Sequence, residues 1–355
     1  MKIAFLVLNQ RDQLRRCEAF IRNSLDFEYT IVFLKEEWEI KLGKPFELAY
    51  KIPVGNVRYI PVEVFKNEDY DLVLPNTDKV IEFLIEQRYP GMINANDKRV
   101  FQQKANEFGK FDFLRSNLTD QFWDDEFVMM KPRISSGGYS ANPLCYNRRV
   151  FKEIKEYVDD PEFIIQEYLQ AYDILLLSFA NNGKDFVLYD IVEQEFKPSA
   201  AGNIYTSYLQ SNLVLREVPE VKELIEKTQE FFKFIGYEQF VGFFGVQFIA
   251  VDGKFFPIDC NLRTGPVAME LEFRNIADTR MYKAIPFFLG DQECKENLEN
   301  PKDYQRYRCY AEVQGKPTTD TAFVPNYDGR VNISTGKTSG TFRRDYEMYI
   351  ERIIE

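Results

Sequence analysis

An α/β lobe followed by a β-rich α+β lobe is the architecture that the order of apolar runs predicts. Over residues 1–95, short apolar runs alternate with helix-period segments, the pattern of a parallel sheet covered on both faces. From Asn96 onward strand-like runs follow one another with few helices between them, which marks a lobe of a different kind. No internal repeat and no low-complexity linker interrupts the chain. The boundaries read as 1–95 for the first lobe, 96–290 for the second and 291–355 for a β-rich C-terminal extension.

In order, the apolar run from Ile3 to Leu8 reads as a buried strand and the charged stretch from Asp12 to Ser24 as a helix. Strands over Tyr29–Leu34 and Leu72–Pro75 and a helix over Val80–Gln87 complete the first lobe. In the second, a helix over 97–108 leads to a strand at Phe127–Met130, the segment KPRISSGGYSA and a return strand near Leu144. A helix over 148–158 precedes the strands FIIQEYL and DILLLSFA, an Asn182-Gly183 turn and the strand FVLYDIVEQEF. Residues 197–212 are polar enough to read as a loop. An amphipathic helix over Val221–Ile235 then leads into the hairpin GFFGVQFIAVDGKFFPIDCNLR. The extension reads as a strand, YRCYAEVQ, then loops, then a last helix ending at Ile354.

Composition removes whole classes of chemistry. With no histidine in 355 residues, Ser-His-Asp and Cys-His nucleophiles, imidazole bases and His-ligated metals are excluded. A net charge of -11 without a basic patch argues against nucleic acid as a partner. Five scattered cysteines, none in a C-x-x-C pair, suit free thiols in a reducing compartment. The first apolar run is too short for a signal-peptide core, and none approaches the roughly 20 residues of a membrane span. A cytoplasmic protein without membrane contact is therefore expected. The 32 Phe and 21 Tyr read as core and interface, which leaves room for a homodimer.

Two segments carry candidate chemistry. Lys131 ends an apolar strand directly before Ser135, Ser136, Gly137 and Gly138. Glycine-rich backbone N–H groups and a terminal ammonium suit phosphate oxygens, although an ordinary hairpin loop with a capping lysine has the same sequence. In the hairpin, Asp259, Asn261 and Arg263 alternate, so their side chains leave the strand on one face. Carboxylate and amide oxygens suit a hard cation such as Mg²⁺, and a guanidinium suits a phosphate oxygen beside it. Gln247 joins that face only if the loop at Asp252-Gly253 has three residues; a two-residue turn would pair it with Ile258 and turn it away. A three-residue loop with a left-handed glycine is therefore expected. Cys260, between two ligand positions, should point into the core. Glu193, Glu195 and Lys197 fall on a strand expected to face the cleft, there to contact substrate or to form a solvated charged face, and Arg274 is placed either to clamp a carboxylate or to pair with Glu270 one helical turn back.

These motifs, in this order, resemble those of the ATP-grasp superfamily over roughly residues 70–275. The resemblance implies a nucleotide held between two β-sheets, with ATP and Mg²⁺ as cofactors. NANDK makes Lys98 the first nucleotide lysine and MMKP makes Lys131 the second. It makes Gln166, Glu167, Tyr168 and Leu169 the adenine hinge and Asp173 the ribose acid. It makes Asp259 and Asn261 metal ligands and sets Arg263 beside the transferring phosphate. Gln247 stands where most members have a carboxylate, as it does in carbamoyl-phosphate synthetases, and Ala171 replaces a usual glycine. RYRCYAEVQ, AFVPNYDGRV and TFRRD are loosely similar to the C-terminal domain of biotin carboxylases, with Arg343 nearest their substrate arginine. The Gln and Glu that follow the metal-site arginine there are Gly265 and Val267 here, which disfavours biotin carboxylation.

The activity so implied is an ATP-dependent ligase that activates a carboxylate as an acyl phosphate and couples it to an amine, both small molecules. Catalysis would rest on Arg263 and Lys131. The alternatives are a kinase on the same scaffold and a non-catalytic ATP-binding regulator, the latter motivated by Gln247.

Overall fold

The computed structural model describes residues 1–9, 11–22, 24–35, 47–116, 128–134, 162–167, 169, 173–197, 205–263, 284–300, 307–314, 321–326, 330–334 and 345–352. The first lobe holds β1 (Lys2–Leu8), α1 (Arg11–Arg22), β2 (Glu28–Leu34), β3 (Val57–Pro61), β4 (Leu72–Pro75) and α2 (Ile81–Arg88). Its four strands are all parallel, in the order β3-β2-β1-β4. Ile3, Phe5 and Val7 pack on Leu14, Phe20 and Ile21 of α1, while Ala4 and Leu6 face Val80, Ile81 and Leu84. An unbroken apolar run is what a strand buried on both faces requires. Strand β3 escaped the sequence reading because it lies at the edge, and of VRYIP only Ile60 is buried.

The second lobe begins with α3 (Lys98–Phe108) and a two-stranded sheet of β5 (Val128–Pro132) and β6 (Phe163–Glu167). It continues with β7 (Asp173–Asn182), β8 (Phe186–Lys197), β9 (Tyr205–Ser211), α4 (Pro219–Phe234), β10 (Val241–Val251) and β11 (Lys254–Asn261). Then come α5 (Ala284–Phe288), α6 (Gln292–Glu299), β12 (Tyr307–Gln314), the hairpin β13 (Thr321–Asn326) and β14 (Arg330–Ser334), and β15 (Asp345–Arg352). The large sheet has seven antiparallel strands in the order β11-β10-β7-β8-β9-β12-β15. Helix α4 starts on Pro219, which lacks the N–H a first turn cannot use, and is followed by left-handed Gly236. Its Phe231 and Phe232 enter a core with Phe179, Phe244 and Phe248.

Two expectations are corrected. The polar stretch before Asn212 contains β9: YTSYLQS alternates, and its backbone pairs with β8 on one side and β12 on the other. The last element is β15 and not a helix; DYEMYIER pairs with β12 along its whole length, from Tyr307↔Arg352 to Gln314↔Asp345. Cross-strand pairing overrides a local pattern that fits either period. The extension strands β12 and β15 thus lengthen the second lobe's sheet. The expected elements near Leu144 and over 148–158 lie outside the described residues. Among the described residues no helix is long and apolar enough to cross a membrane.

Candidate functional site

The hairpin β10–β11 closes through Asp252 and Gly253, at φ 50° and 75°. Val251 pairs with Lys254, so the loop has two residues and not the three expected. Positive φ at both loop positions is the type I′ turn that an Asp-Gly pair favours. The common face is recovered by a different device. Between Phe248↔Pro257 and Gln247↔Asp259 the register shifts by one residue, with Ile258 as the bulge. Gln247 therefore lies opposite Asp259, and Gly245 opposite Asn261. Cys260 points the other way, fully buried among Val246 and Leu262, and burial pushes its thiol well above the usual range, Asp259 and Asp78 adding to the effect. It is a core residue.

Lys98 opens α3. Asp97 caps that helix, accepting from the backbone N–H of Arg99 and Val100, and it also pairs with Arg133. The Lys98 N–H donates to the Arg133 carbonyl at 2.9 Å, which ties the start of α3 to the end of β5. A lysine in the first turn opposes the helix dipole, a local conflict of the sort that marks binding sites. Its Nζ lies 3.5 Å from Asp259 Oδ1, and both side chains are largely buried. Lys131, also on β5, is electrostatically coupled to both: burial lowers its ammonium to about 8, Asp259 opposes the shift and Lys98 adds to it. Lys98, Lys131 and Asp259, drawn from a helix and two separate sheets, therefore lie close together.

Arg263, just beyond β11, donates through Nε to both carboxylate oxygens of Asp78 at 3.0 and 3.1 Å, and through Nη2 to Asn261 Oδ1 at 3.4 Å. Asp78 was not among the residues read from the sequence. Its signal was position: PNTDK follows β4 at the C-terminal edge of a parallel sheet, where ligand-facing groups collect.

Among the described residues Asp259 Oδ1 is buried and accepts no hydrogen bond, with the Lys98 ammonium 3.5 Å away. An orphaned carboxylate oxygen with an amide oxygen on the same face fits a hard cation, which a carboxylate and nucleotide phosphates commonly hold together. Among the described residues no cluster of three or more Asp, Glu or Cys forms. Gln247 lies 3.5 Å from Gln194 of β8, amide to amide. That contact places Gln194 on the cleft face and Glu193 on the other, where it accepts from Asn212; the expectation that Glu193 faces the cleft is corrected by strand alternation.

At the expected hinge, Gln166 turns its side chain inward to Gln102 of α3 and is buried. Glu167 is held by Arg115, through its N–H at 3.1 Å and its Nε at 3.0 Å. The Glu167 N–H is itself used, donating to the Arg115 carbonyl at 2.8 Å. Leu169 is partly buried, and Asp173 begins β7 opposite Ala250. Ser135, Ser136, Gly137, Gly138, Tyr168, Arg274 and the side chains of Glu195 and Lys197 lie outside the described residues.

No protein-family model and no curated protein matches the chain. Solved structures do. An L-amino acid ligase from Bacillus licheniformis superposes with a TM-score of 0.58 at 11% identity, over 92% of this chain and 82% of its own. A phosphoribosylamine–glycine ligase from Thermotoga maritima gives 0.55 at 15%, over 94% and 90%. An N5-carboxyaminoimidazole synthetase from Staphylococcus aureus, complexed with ADP, gives 0.51 at 11%, over 87% and 81%. At such identities the likeness is one of fold: the chain has the ATP-grasp fold, an α/β lobe followed by the two sheets of an α+β lobe.

Proposed function

We propose that this protein is an ATP-dependent ligase that activates a small-molecule carboxylate as an acyl phosphate and joins it to an amine. The observation that carries the reading is the meeting of Lys98, Lys131 and Asp259 from three separate elements of this fold. The names of the fold neighbours, an L-amino acid ligase and a phosphoribosylamine–glycine ligase, support the same class of reaction.

In this reading ATP lies between the β5–β6 sheet and the β10–β11 hairpin. Lys98 and Lys131 offset the triphosphate charge. Arg263 stabilises the phosphoryl oxygens during transfer, which depends on positioning and electrostatics and needs no histidine. Asp259 and Asn261, with Gln247 beside them, would hold Mg²⁺, which supplies neutralisation of the charge that builds on the phosphate oxygens. A carboxylate oxygen of the acid attacks the γ-phosphorus, the bond to the β–γ bridging oxygen breaks, and ADP leaves. The amine then attacks the acyl carbon, the C–O bond to phosphate breaks, and the amine's proton leaves with the phosphate.

The test is a screen of ADP release against pairs of carboxylic acids and amino acids with Mg-ATP. Release that requires one acid together with one amine supports a ligase. Release with the acid alone makes it a kinase. Tight ATP binding without release across the panel makes it a regulator, the outcome that the single carboxylate beside Gln247 would then explain.

A further inference from the structure

The pairing of Asp78 with Arg263 joins the two lobes at the candidate cation ligands. Asp78 begins the short turn after β4, and its side chain is 2% exposed. Both of its oxygens accept from Arg263 Nε, and Arg263 Nη2 donates to Asn261 Oδ1. A guanidinium is a rigid planar fork, so a carboxylate on Nε sets the plane of the group and the directions of both Nη atoms. The Nη2 bond in turn decides which end of the Asn261 amide faces Arg263, and so which atom that amide presents beside Asp259. Three side chains from two lobes thus form one chain of orientation.

A pair that merely stitched lobes together could sit at the rim, where ion pairs contribute little and cost little. This one is buried at the site, where a lone carboxylate would be strongly penalised. Asn96, whose side-chain amide donates to the Asp78 carbonyl at 3.4 Å, fixes the turn from the α3 side. The geometry points to Asp78 as a positioning residue: it orients Arg263 and, through it, the Asn261 carbonyl, for the terminal phosphate and its cation. The N-terminal lobe is then part of the transfer site. This inference rests on the nucleotide reading above.

Titration calorimetry with Mg-ATP and with Mg-ADP tests it, on the wild type, Asp78→Asn, Asp78→Glu, Arg263→Gln and the double variant, with a thermal melt of each. Asp78→Asn is expected to weaken Mg-ATP at least about tenfold and Mg-ADP by less than about twofold. Arg263→Gln should do the same, and the double variant should bind no more weakly than Arg263→Gln alone, because the two residues act as one unit. Asp78→Glu, which keeps the charge, should fall between wild type and Asp78→Asn, and it carries the test should Asp78→Asn fail to fold. A purely structural role moves both nucleotides together. An unchanged ATP-to-ADP ratio in both Asp78 variants, or additive losses in the double variant, overturns the inference and leaves the nucleotide reading standing. A wild type that binds neither nucleotide overturns both.

Discussion

Lys131 is a cation held where burial opposes its charge, and that conflict makes a measurable proton linkage. Its folded value of about 8 lies below the ordinary 10.5. Between these two pH values the unfolded chain keeps a proton that the folded chain has lost, so this group's contribution to stability rises with pH across that window. Below about 8 both states are charged and the burial penalty is fully present. Lys131→Met should therefore melt higher than the wild type near neutral pH, read by thermal denaturation without nucleotide. Phosphate binding requires the charged form, so Mg-ATP affinity of the wild type should fall as pH rises above about 8, by up to about tenfold per unit. Calorimetry across that range should show the fall in the wild type, and Lys131→Met should bind weakly with no such slope. Asp259→Asn keeps the size of the side chain and loses its charge. It should leave nucleotide bound and lower turnover on the order of a hundredfold, measured as ADP release. Lys131 and Asp259 were singled out in the sequence because charge at the end of an apolar strand has few structural uses, and Lys98 only through the resemblance of NANDK to a family motif. Asp78 and Asp97 were not, because a buried carboxylate declares itself only through a partner distant in sequence, Arg263 in one case and Arg133 in the other.

At the scale of the element, the β10–β11 hairpin shows how a correct placement followed from a wrong turn. Strict alternation said that a two-residue loop would turn Gln247 away from Asp259, and that is true of an unbroken ladder. The bulge at Ile258 breaks the ladder, and no residue type at that position announces it. Deleting Ile258 should remove the bulge and leave Asp259 directly opposite Gln247, on the same face, because the deletion keeps their pairing. Retained Mg-ATP binding with the strand content by circular dichroism unchanged is the expected result. Gly253→Ala, at the tip, asks only about backbone: φ is 75° and nothing lies within 4 Å of an added Cβ. It should cost about 1 kcal/mol in denaturant unfolding and leave nucleotide affinity unchanged. The same logic explains the strands read amiss. Edge strand β3 and the alternating β9 owe their form to neighbours, and β15 to its full-length pairing with β12.

Across the whole molecule, the lobes are joined by buried polar contacts as well as by apolar packing. The Tyr237 hydroxyl donates to the Ile93 carbonyl at 2.7 Å and accepts from the Ala95 N–H at 2.9 Å, just before the Asp97 cap and Lys98. Tyr237→Phe leaves both backbone groups unpaired in the interior and should destabilise the fold by about 1–3 kcal/mol, read by denaturant unfolding. The overall plan of a parallel lobe followed by antiparallel sheets was legible because it is written in the order of strands and helices. The junction between the lobes was not, since it depends on residues such as Asp78 and Arg263 that only the fold brings together. The most direct measurement of the central claim is a crystal structure grown with Mg²⁺ and a non-hydrolysable ATP analogue. The account predicts phosphates within hydrogen-bonding distance of Lys98 and Lys131 and a cation on Asp259 and Asn261. A nucleotide bound elsewhere on the protein, or a crevice in which Lys98 still pairs with Asp259 and no phosphate has entered, would contradict it.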